Sequence, residues 1–193
     1  MALSWHQLSR LHGLPLLSKD ASASRGLNDS LVDSAYTAAG AFYIGWTLSL
    51  LLILRGEFNG LEWVLVVLLA TFATDTGAFF TGRALGRRAM APRISAGKTW
   101  EGAVGGFLIG SGSVVALVSL LELPISTLES VVLGAMVGVS AQVGDLVESK
   151  VKRASGVKDS GRLVPGHGGV LDRLDSVVFV TVVVYHFYVW VVK

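Results

Sequence analysis

Residues 61–81, LEWVLVVLLATFATDTGAFFT, decide the fold class of this chain. Apolar side chains fill most of the stretch, and its length matches the ~20 residues that an α-helix needs to cross a bilayer. Inside lipid the backbone must satisfy its own hydrogen bonds, which favours a helix over an open strand. The stretch therefore predicts a transmembrane helix with Glu62 at its start and a second carboxylate, Asp75, towards its end.

Four further apolar segments repeat this pattern along the chain. They lie at about Ala35–Leu54, Gly102–Leu121, Thr127–Val147 and Leu174–Val192. The composition agrees, because 52% of the 193 residues are hydrophobic and only 16% are charged, whereas soluble domains carry about 25% charged residues. We expect an all-α, polytopic membrane helix bundle with about five transmembrane helices.

One domain, residues 35–193, should contain all five helices, since neither a repeat nor a low-complexity linker interrupts them. Residues 1–34 mix acids, bases, serine and glycine without a sustained apolar core. This composition predicts a cytoplasmic, poorly ordered leader and no cleavable signal peptide. The chain has no cysteine, which excludes disulfides and thiolate metal sites.

Basic residues concentrate in two of the connections between the apolar segments. The connection between the second and third segments holds five bases and one acid, Glu101 at its very end, and in the connection between the fourth and fifth segments the bases also outnumber the acids. The positive-inside rule places both connections in the cytoplasm. We therefore expect a multi-pass protein of the cell inner (plasma) membrane whose active site faces the cytoplasm. Long apolar runs separate the two basic connections, so nucleic acid is not expected as a partner.

Three of the predicted helices bring carboxylates to this cytoplasmic side. These carboxylates are Asp75, Asp145, Glu148, Asp172 and Asp175. Asp145 and Glu148 also share one helical face with Ser149 and Lys152. Ionisable groups in membrane helices are costly and mark functional sites, and converging carboxylate oxygens suit Mg²⁺. The alternative is that each acid pairs with a nearby base.

The connection between the fourth and fifth segments interleaves bases, acids and glycines. Residues 149–175 read SKVKRASGVKDSGRLVPGHGGVLDRLD. Bases can neutralise the oxygens of a polyphosphate, and the glycines around His167 let the backbone approach a ligand and donate N–H groups to it. The alternative is that the bases only set topology by resting on anionic lipid headgroups. That alternative does not explain the interleaved acids and glycines.

The same connection resembles the signature of the phosphatidate cytidylyltransferase (CDP-diacylglycerol synthase) family. Residues 149–175 follow the pattern S-x-x-K-R, four residues, K-D, and then H-G-G-x-x-D-R-x-D. Val164 is a mild departure, because the family prefers a bulkier residue there. The preceding residues 144–149, GDLVES, match the family's G-D-x-x-E-S run.

Two upstream segments extend the resemblance. Residues 73–79, ATDTGAF, resemble the Asp-containing helix of the family. Residues 95–102, SAGKTWEG, resemble its S-x-x-K-T-x-E-G loop, with Ala96 where proline is common. The resemblance covers about residues 36–193 and corresponds to the C-terminal catalytic region. We expect the chain to lack the additional helices that the family usually carries before this region.

The resemblance implies transfer of CMP from CTP to phosphatidic acid, with CDP-diacylglycerol and pyrophosphate as products. It implies Mg²⁺ held by Asp145 and Asp172, with Asp75, Glu148 and Asp175 as second-rank ligands. The implied phosphate clamps are Lys152, Arg153, Lys158 and Arg173. The implied nucleotide-binding residues are Ser95, Lys98, Thr99, Ser149, Gly168 and Gly169. His167 would donate to a phosphate, act in acid–base steps, or fix the glycine loop. A second cation and a homodimer stay open, and membrane lipids are the remaining partners.

Three other functions compete with this interpretation. A CTP-dependent polyprenol or phytol kinase would need a base that activates an alcohol, and the fuller phosphatidate signature argues against it. A transporter would spread its carboxylates through the bilayer depth, whereas here they gather at one face. An inactive truncated homologue would keep the signature without turnover.

Overall fold

The computed structural model describes residues 27–92, 94–154 and 171–193, with side chains at 34–35, 37–92, 94–95, 97–153 and 176–193. The described helices are α1 (Leu27–Gly56), α2 (Gly60–Leu85), α3 (Trp100–Leu120), α4 (Thr127–Ala154) and α5 (Leu171–Phe187). A π-helical turn (Tyr188–Val192) continues α5, and two short strands, β1 (Ala89–Ala91) and β2 (Ser95–Thr99), connect α2 to α3. The chain divides between Tyr43 and Ile44 into two units, and the second contains every element after α1.

Four of these helices are long and apolar enough to cross a bilayer. The candidate spans are Thr37–Gly56, Gly60–Leu85, Trp100–Leu120 and Thr127–Arg153. The prediction of an all-α, polytopic membrane bundle is confirmed. Within the described side chains, the fifth apolar stretch runs over Ser176–Val192, through most of α5 and the π-helical turn. The described part of the first helix starts at Leu27, upstream of the predicted Ala35.

Large apolar side chains cover the outside of the helices in residues 44–193. Leu52, Phe72, Leu108, Leu120 and Leu128 are all exposed. Water would not tolerate so many exposed apolar groups, because monomeric soluble proteins rarely expose large contiguous apolar patches. Lipid is the solvent that accepts this surface, so the chain is a membrane protein.

Glycines bring the backbones of α2 and α3 together. A Cβ added at Gly106 would lie 2.8 Å from both the Ala78 Cβ and the Thr74 carbonyl oxygen. One added at Gly102 would lie 2.8 Å from the Ala78 carbonyl oxygen. In lipid, the hydrophobic effect does not drive helices together. Small residues at such crossings let the backbones approach closely, and the van der Waals contacts that result stabilise the pair. The crossing fixes the N-terminal turns of α3 against the C-terminal half of α2, where Asp75 lies.

The buried core lies where α2, α4 and α5 meet. Trp63, Leu133, Val137, Val180 and Val184 are fully buried in it. The Trp63 ring packs edge-on against Tyr188 with centroids 5.5 Å apart, which fastens the π-helical turn after α5 to the start of α2. This packing holds the end of α5 in the bundle.

A two-stranded antiparallel hairpin between α2 and α3 was not predicted from the sequence. It pairs Ala89 with Thr99 and Ala91 with Ser95. Thr99 also begins α3 as its N-cap, because its Oγ1 accepts a hydrogen bond from the Gly102 N–H at 3.1 Å. Isolated hairpins are marginally stable at best, so the hairpin depends on its attachment to the helices on either side.

Candidate functional site

A cavity of about 220 Å³ opens among α2, the hairpin, α3 and α4. Each of the four elements contributes lining residues. They are Asp75, Ala78 and Phe79 from α2, Met90, Gly97, Lys98 and Thr99 from the hairpin, Gly102 and Ala103 from α3, and Gln142 and Asp145 from α4. Four predicted site residues, Asp75, Lys98, Thr99 and Asp145, therefore meet at one place.

Lys98 and Asp145 form an ion pair across this cavity. The distance from Lys98 Nζ to Asp145 Oδ2 is 2.6 Å, and the two side chains are 21% and 36% exposed. Ser149 Oγ lies 3.4 Å from Asp145 Oδ1 and donates a weak hydrogen bond to it. The short contact is a charge-assisted hydrogen bond. It joins the hairpin to α4 through groups that could each bind part of a charged ligand.

Asp75 supplies the second described carboxylate of the cavity. It lies on the C-terminal half of α2, and the side chains of Ala78 and Phe79 follow it along the same wall. The α2–α3 glycine contacts hold this wall against Gly102 and Ala103 on the other side. A cation or phosphate in the cavity would therefore meet carboxylates from two different helices.

Gln142 also lines the cavity, and it was not predicted as a site residue from the sequence. Its Nε2 donates to the Ala103 carbonyl at 3.0 Å and to the Gly138 carbonyl at 3.1 Å. The first of these bonds crosses from α4 to α3 and fixes their separation beneath Asp145. A single amide side chain within an apolar helix was the available signal, because polar groups in lipid need partners.

A second ion pair lies one turn further along α4. Lys152 Nζ is 3.3 Å from Glu148 Oε1, and both side chains are mostly buried. Neither residue lines the cavity. The contact of Glu148 with Lys152 agrees with the alternative interpretation of the sequence, in which each acid pairs with a nearby base. The predicted roles of Glu148 as a ligand and of Lys152 as a phosphate clamp stay predictions.

The hairpin is attached to its neighbours by two charged side chains, Glu101 and Arg153. Glu101 Oε2 accepts the backbone N–H groups of Arg87 and Arg88 at 3.1 and 3.2 Å. Arg153 Nε donates to the Ile94 carbonyl at 3.3 Å, which joins α4 to the turn of the hairpin. These bonds hold Lys98 in place beside Asp145. Arg153 therefore has a structural contact in addition to its predicted role as a phosphate clamp.

Several predicted residues are not placed by the described structure. Lys158, His167, Gly168 and Gly169 lie outside the described residues, and the side chains of Asp172, Arg173 and Asp175 lie outside the described side chains. Ser95 belongs to β2 but does not line the cavity. Among the described side chains, no three histidines or carboxylates gather as a metal cluster. Since two predicted ligands are outside that set, the metal site stays a prediction.

A model of the cytidylyltransferase family matches residues 8–191, which is nearly the whole chain. The chain belongs to this family. The match confirms the resemblance found in the sequence. It also begins well before residue 36, so part of the predicted leader lies within the region that the family model covers.

Individual members of the cytidylyltransferase family are similar over most of this chain. The phosphatidate cytidylyltransferase of Brucella suis biovar 1 (strain 1330) is 43% identical over 153 residues, covering 79% of this chain and 56% of the relative. That of Bacillus subtilis (strain 168) is 38% identical over 146 residues, covering 75% and 54%. That of Haemophilus influenzae is 40% identical over 141 residues, covering 69% and 48%. The chain thus spans about half the length of these relatives.

Proposed function

We propose that this chain transfers CMP from CTP to phosphatidic acid, giving CDP-diacylglycerol and pyrophosphate. The observation that carries the proposal is the Lys98–Asp145 pair, which faces Asp75 in one cavity of a chain whose relatives are phosphatidate cytidylyltransferases. The base can bind phosphate oxygens, and the two acids, which come from separate helices, can bind a cation that accompanies those phosphates. This chemistry favours CTP with a divalent metal ion.

The proposed reaction brings two anions together. An oxygen of the phosphatidic acid phosphate attacks the α-phosphorus of CTP. The bond from that phosphorus to the bridging oxygen then breaks, and pyrophosphate leaves. A phosphate monoester is already ionised near neutral pH, so the step needs no strong general base. The protein must position the two phosphates in line and stabilise the charge that develops between them.

Lys98 is the described residue best placed to bind phosphate oxygens. Its ammonium lies in the cavity, and its contact with Asp145 shows that it reaches towards α4. When CTP binds, we expect Lys98 to leave Asp145 and donate to a phosphate. The further proposed phosphate clamps are Lys152, Arg153, Lys158 and Arg173. The nucleotide would be lined by Ser95, Thr99, Ser149, Gly168 and Gly169. His167 would donate to a phosphate or take part in acid–base steps.

The described carboxylates could serve as ligands of Mg²⁺, because Asp75 and Asp145 both line one cavity and carboxylate oxygens are hard ligands. Magnesium is usually bound through one or two carboxylates together with substrate phosphates. Asp145 and Asp172 would hold the ion, with Asp75, Glu148 and Asp175 as further ligands. Bound there, it would screen the repulsion between the reacting phosphates. A second cation is not needed by this proposal.

We place the cavity on the cytoplasmic side of the inner membrane. The support is the positive-inside rule, because Lys98 and Arg88 belong to one basic connection and Lys150 and Arg153 lie at the start of the other. Membrane lipids would cover the exposed apolar faces, and a homodimer stays a prediction.

The test is a transfer assay on the purified 193-residue chain. It is supplied with CTP labelled at the α-phosphate, phosphatidic acid in mixed micelles and Mg²⁺, and the lipid fraction is then counted. We expect labelled CDP-diacylglycerol that disappears with EDTA. A parallel assay with CTP labelled at the γ-phosphate and a polyprenol as acceptor tests the kinase, and label in the polyprenol would establish it. Nucleotide binding without turnover on either acceptor would establish the inactive homologue.

A further inference from the structure

A second groove lies on the lipid-facing side of α2 and α3. It has a volume of about 740 Å³. Its lining residues are Thr81, Leu85, Arg88, Trp100, Glu101, Val104, Gly105 and Leu108. Its α3 residues Val104 and Leu108 lie on the face roughly opposite to the cavity residues Gly102 and Ala103, since successive residues turn by about 100°. The groove is therefore a different surface from the catalytic cavity.

The groove changes from polar to apolar along the helix axis. Arg88 and Glu101 lie at the end where α3 begins, and Trp100 beside them is 57% exposed. One and two turns deeper into the span, the lining becomes Val104 and then Leu108, which is 62% exposed. Tryptophan and arginine are residues typical of the headgroup level of a bilayer. The order matches a lipid whose headgroup lies at Arg88 and whose acyl chain runs along α3.

The charge at the polar end favours an anionic headgroup. Arg88 lines the groove, and Arg87 beside it in the sequence is exposed. Glu101 is the single acid in the lining, and its Oε2 accepts the backbone N–H groups of Arg87 and Arg88. That carboxylate is thus already used to hold the backbone, and it also interacts electrostatically with the Arg88 guanidinium, for which a lipid phosphate would compete.

We infer that this groove binds one anionic glycerophospholipid of the surrounding membrane, apart from the proposed lipid substrate. The site has a structural link to the hairpin, because the Trp100 N–H donates to the Arg88 carbonyl at 3.0 Å and closes the base of the hairpin. A lipid that contacts Arg88 and Trp100 would therefore steady the segment that carries Lys98. The inference does not depend on the proposed transferase activity, because lipid binding is measured without CTP.

The test uses the full chain in detergent and native mass spectrometry with phosphatidylglycerol and phosphatidylcholine. Wild type should retain one phosphatidylglycerol more tightly than phosphatidylcholine. Arg88→Gln should weaken phosphatidylglycerol binding about fivefold, since one basic residue near the surface contributes about 1 kcal/mol to anionic lipid binding. Val104→Trp should weaken both lipids by filling the apolar part of the groove.

Matched controls separate this groove from general surface effects. Arg83→Gln removes a base outside the groove lining, and Val131→Trp enlarges an exposed valine on α4. Both controls should bind phosphatidylglycerol as wild type does. The inference is overturned if Arg88→Gln and Val104→Trp both bind normally, or if each control weakens binding as much as its partner. Displacement of the lipid by soluble glycerol phosphate at equal concentration would also overturn it, since the acyl chain would then contribute nothing.

Discussion

Lys98 Nζ lies 2.6 Å from Asp145 Oδ2, and this pair connects two parts of the chain that are far apart in sequence. Lys98 belongs to the hairpin between α2 and α3, whereas Asp145 lies on α4. In the proposed reaction each partner has a different ligand, because the ammonium would bind phosphate and the carboxylate would bind the metal ion. The ion pair would then be the resting arrangement that binding of the metal and nucleotide replaces.

Replacing Asp145 with asparagine should remove the transferase activity. Asn keeps the size of the side chain but loses the charge that would hold the cation, so we expect kcat to fall by at least about 100-fold. The same result is expected for Asp172→Asn, on the strength of the family resemblance. The measurement is the CTP transfer assay on purified, membrane-inserted protein. Glu122→Gln removes an exposed acid between α3 and α4 and is the control. Near-normal turnover by Asp145→Asn would remove the metal assignment.

Replacing Lys98 with methionine should strengthen metal binding in the absence of nucleotide. The ammonium neutralises Asp145, so a cation must compete with it for the same carboxylate. Partly exposed ion pairs contribute up to about 1 kcal/mol, which corresponds to about a fivefold gain in affinity. Titration with Mn²⁺ as an observable substitute for Mg²⁺ measures the effect. The Michaelis constant for CTP should rise in the same variant. Weaker Mn²⁺ binding than in wild type would show that Lys98 supports the cation site.

The sequence allowed prediction of those features that depend on local pattern. The apolar segments gave α2, α3 and α4 nearly as observed, and the signature gave Asp75, Lys98, Thr99 and Asp145, which do line one cavity. The hairpin could not be predicted, because β1 is three residues long and is held by bonds from other elements. These bonds come from Glu101 and Arg153, and no local pattern reports them.

The pairing of individual charges was also beyond the sequence. Glu148 has a base four residues later and pairs with it, as a local rule would give. Asp145 lies on the same helical face but pairs with a base 47 residues earlier in the chain, counted from Asp145 to Lys98. The difference depends on how α4 crosses the hairpin, which only tertiary packing decides.

Replacing Gly106 with alanine should destabilise the bundle. The new Cβ would lie 2.8 Å from the Ala78 Cβ and the Thr74 carbonyl oxygen, so α2 and α3 would have to separate. Overpacking of this kind costs about 1–3 kcal/mol. Gly112→Ala is the matched control on the same helix, because a Cβ there meets nothing within 4 Å. Thermal unfolding in detergent should give a lower midpoint for Gly106→Ala alone. Equal midpoints for the two variants would contradict the observed helix crossing.

A double substitution can establish whether Asp75 and Asp145 serve one cation. Both carboxylates line the same cavity but belong to α2 and α4. If they hold one ion, Asp75→Asn and Asp145→Asn should each weaken Mn²⁺ binding. The loss of binding free energy in the double variant should be smaller than the sum of the two single losses, because the effects of substitutions at residues that share a partner are not additive. Glu62→Gln, which removes an acid near the start of α2, should leave binding unchanged. An unchanged Mn²⁺ affinity in Asp75→Asn would instead assign the two carboxylates to separate tasks, with Asp145 at the cation and Asp75 at another part of the substrate.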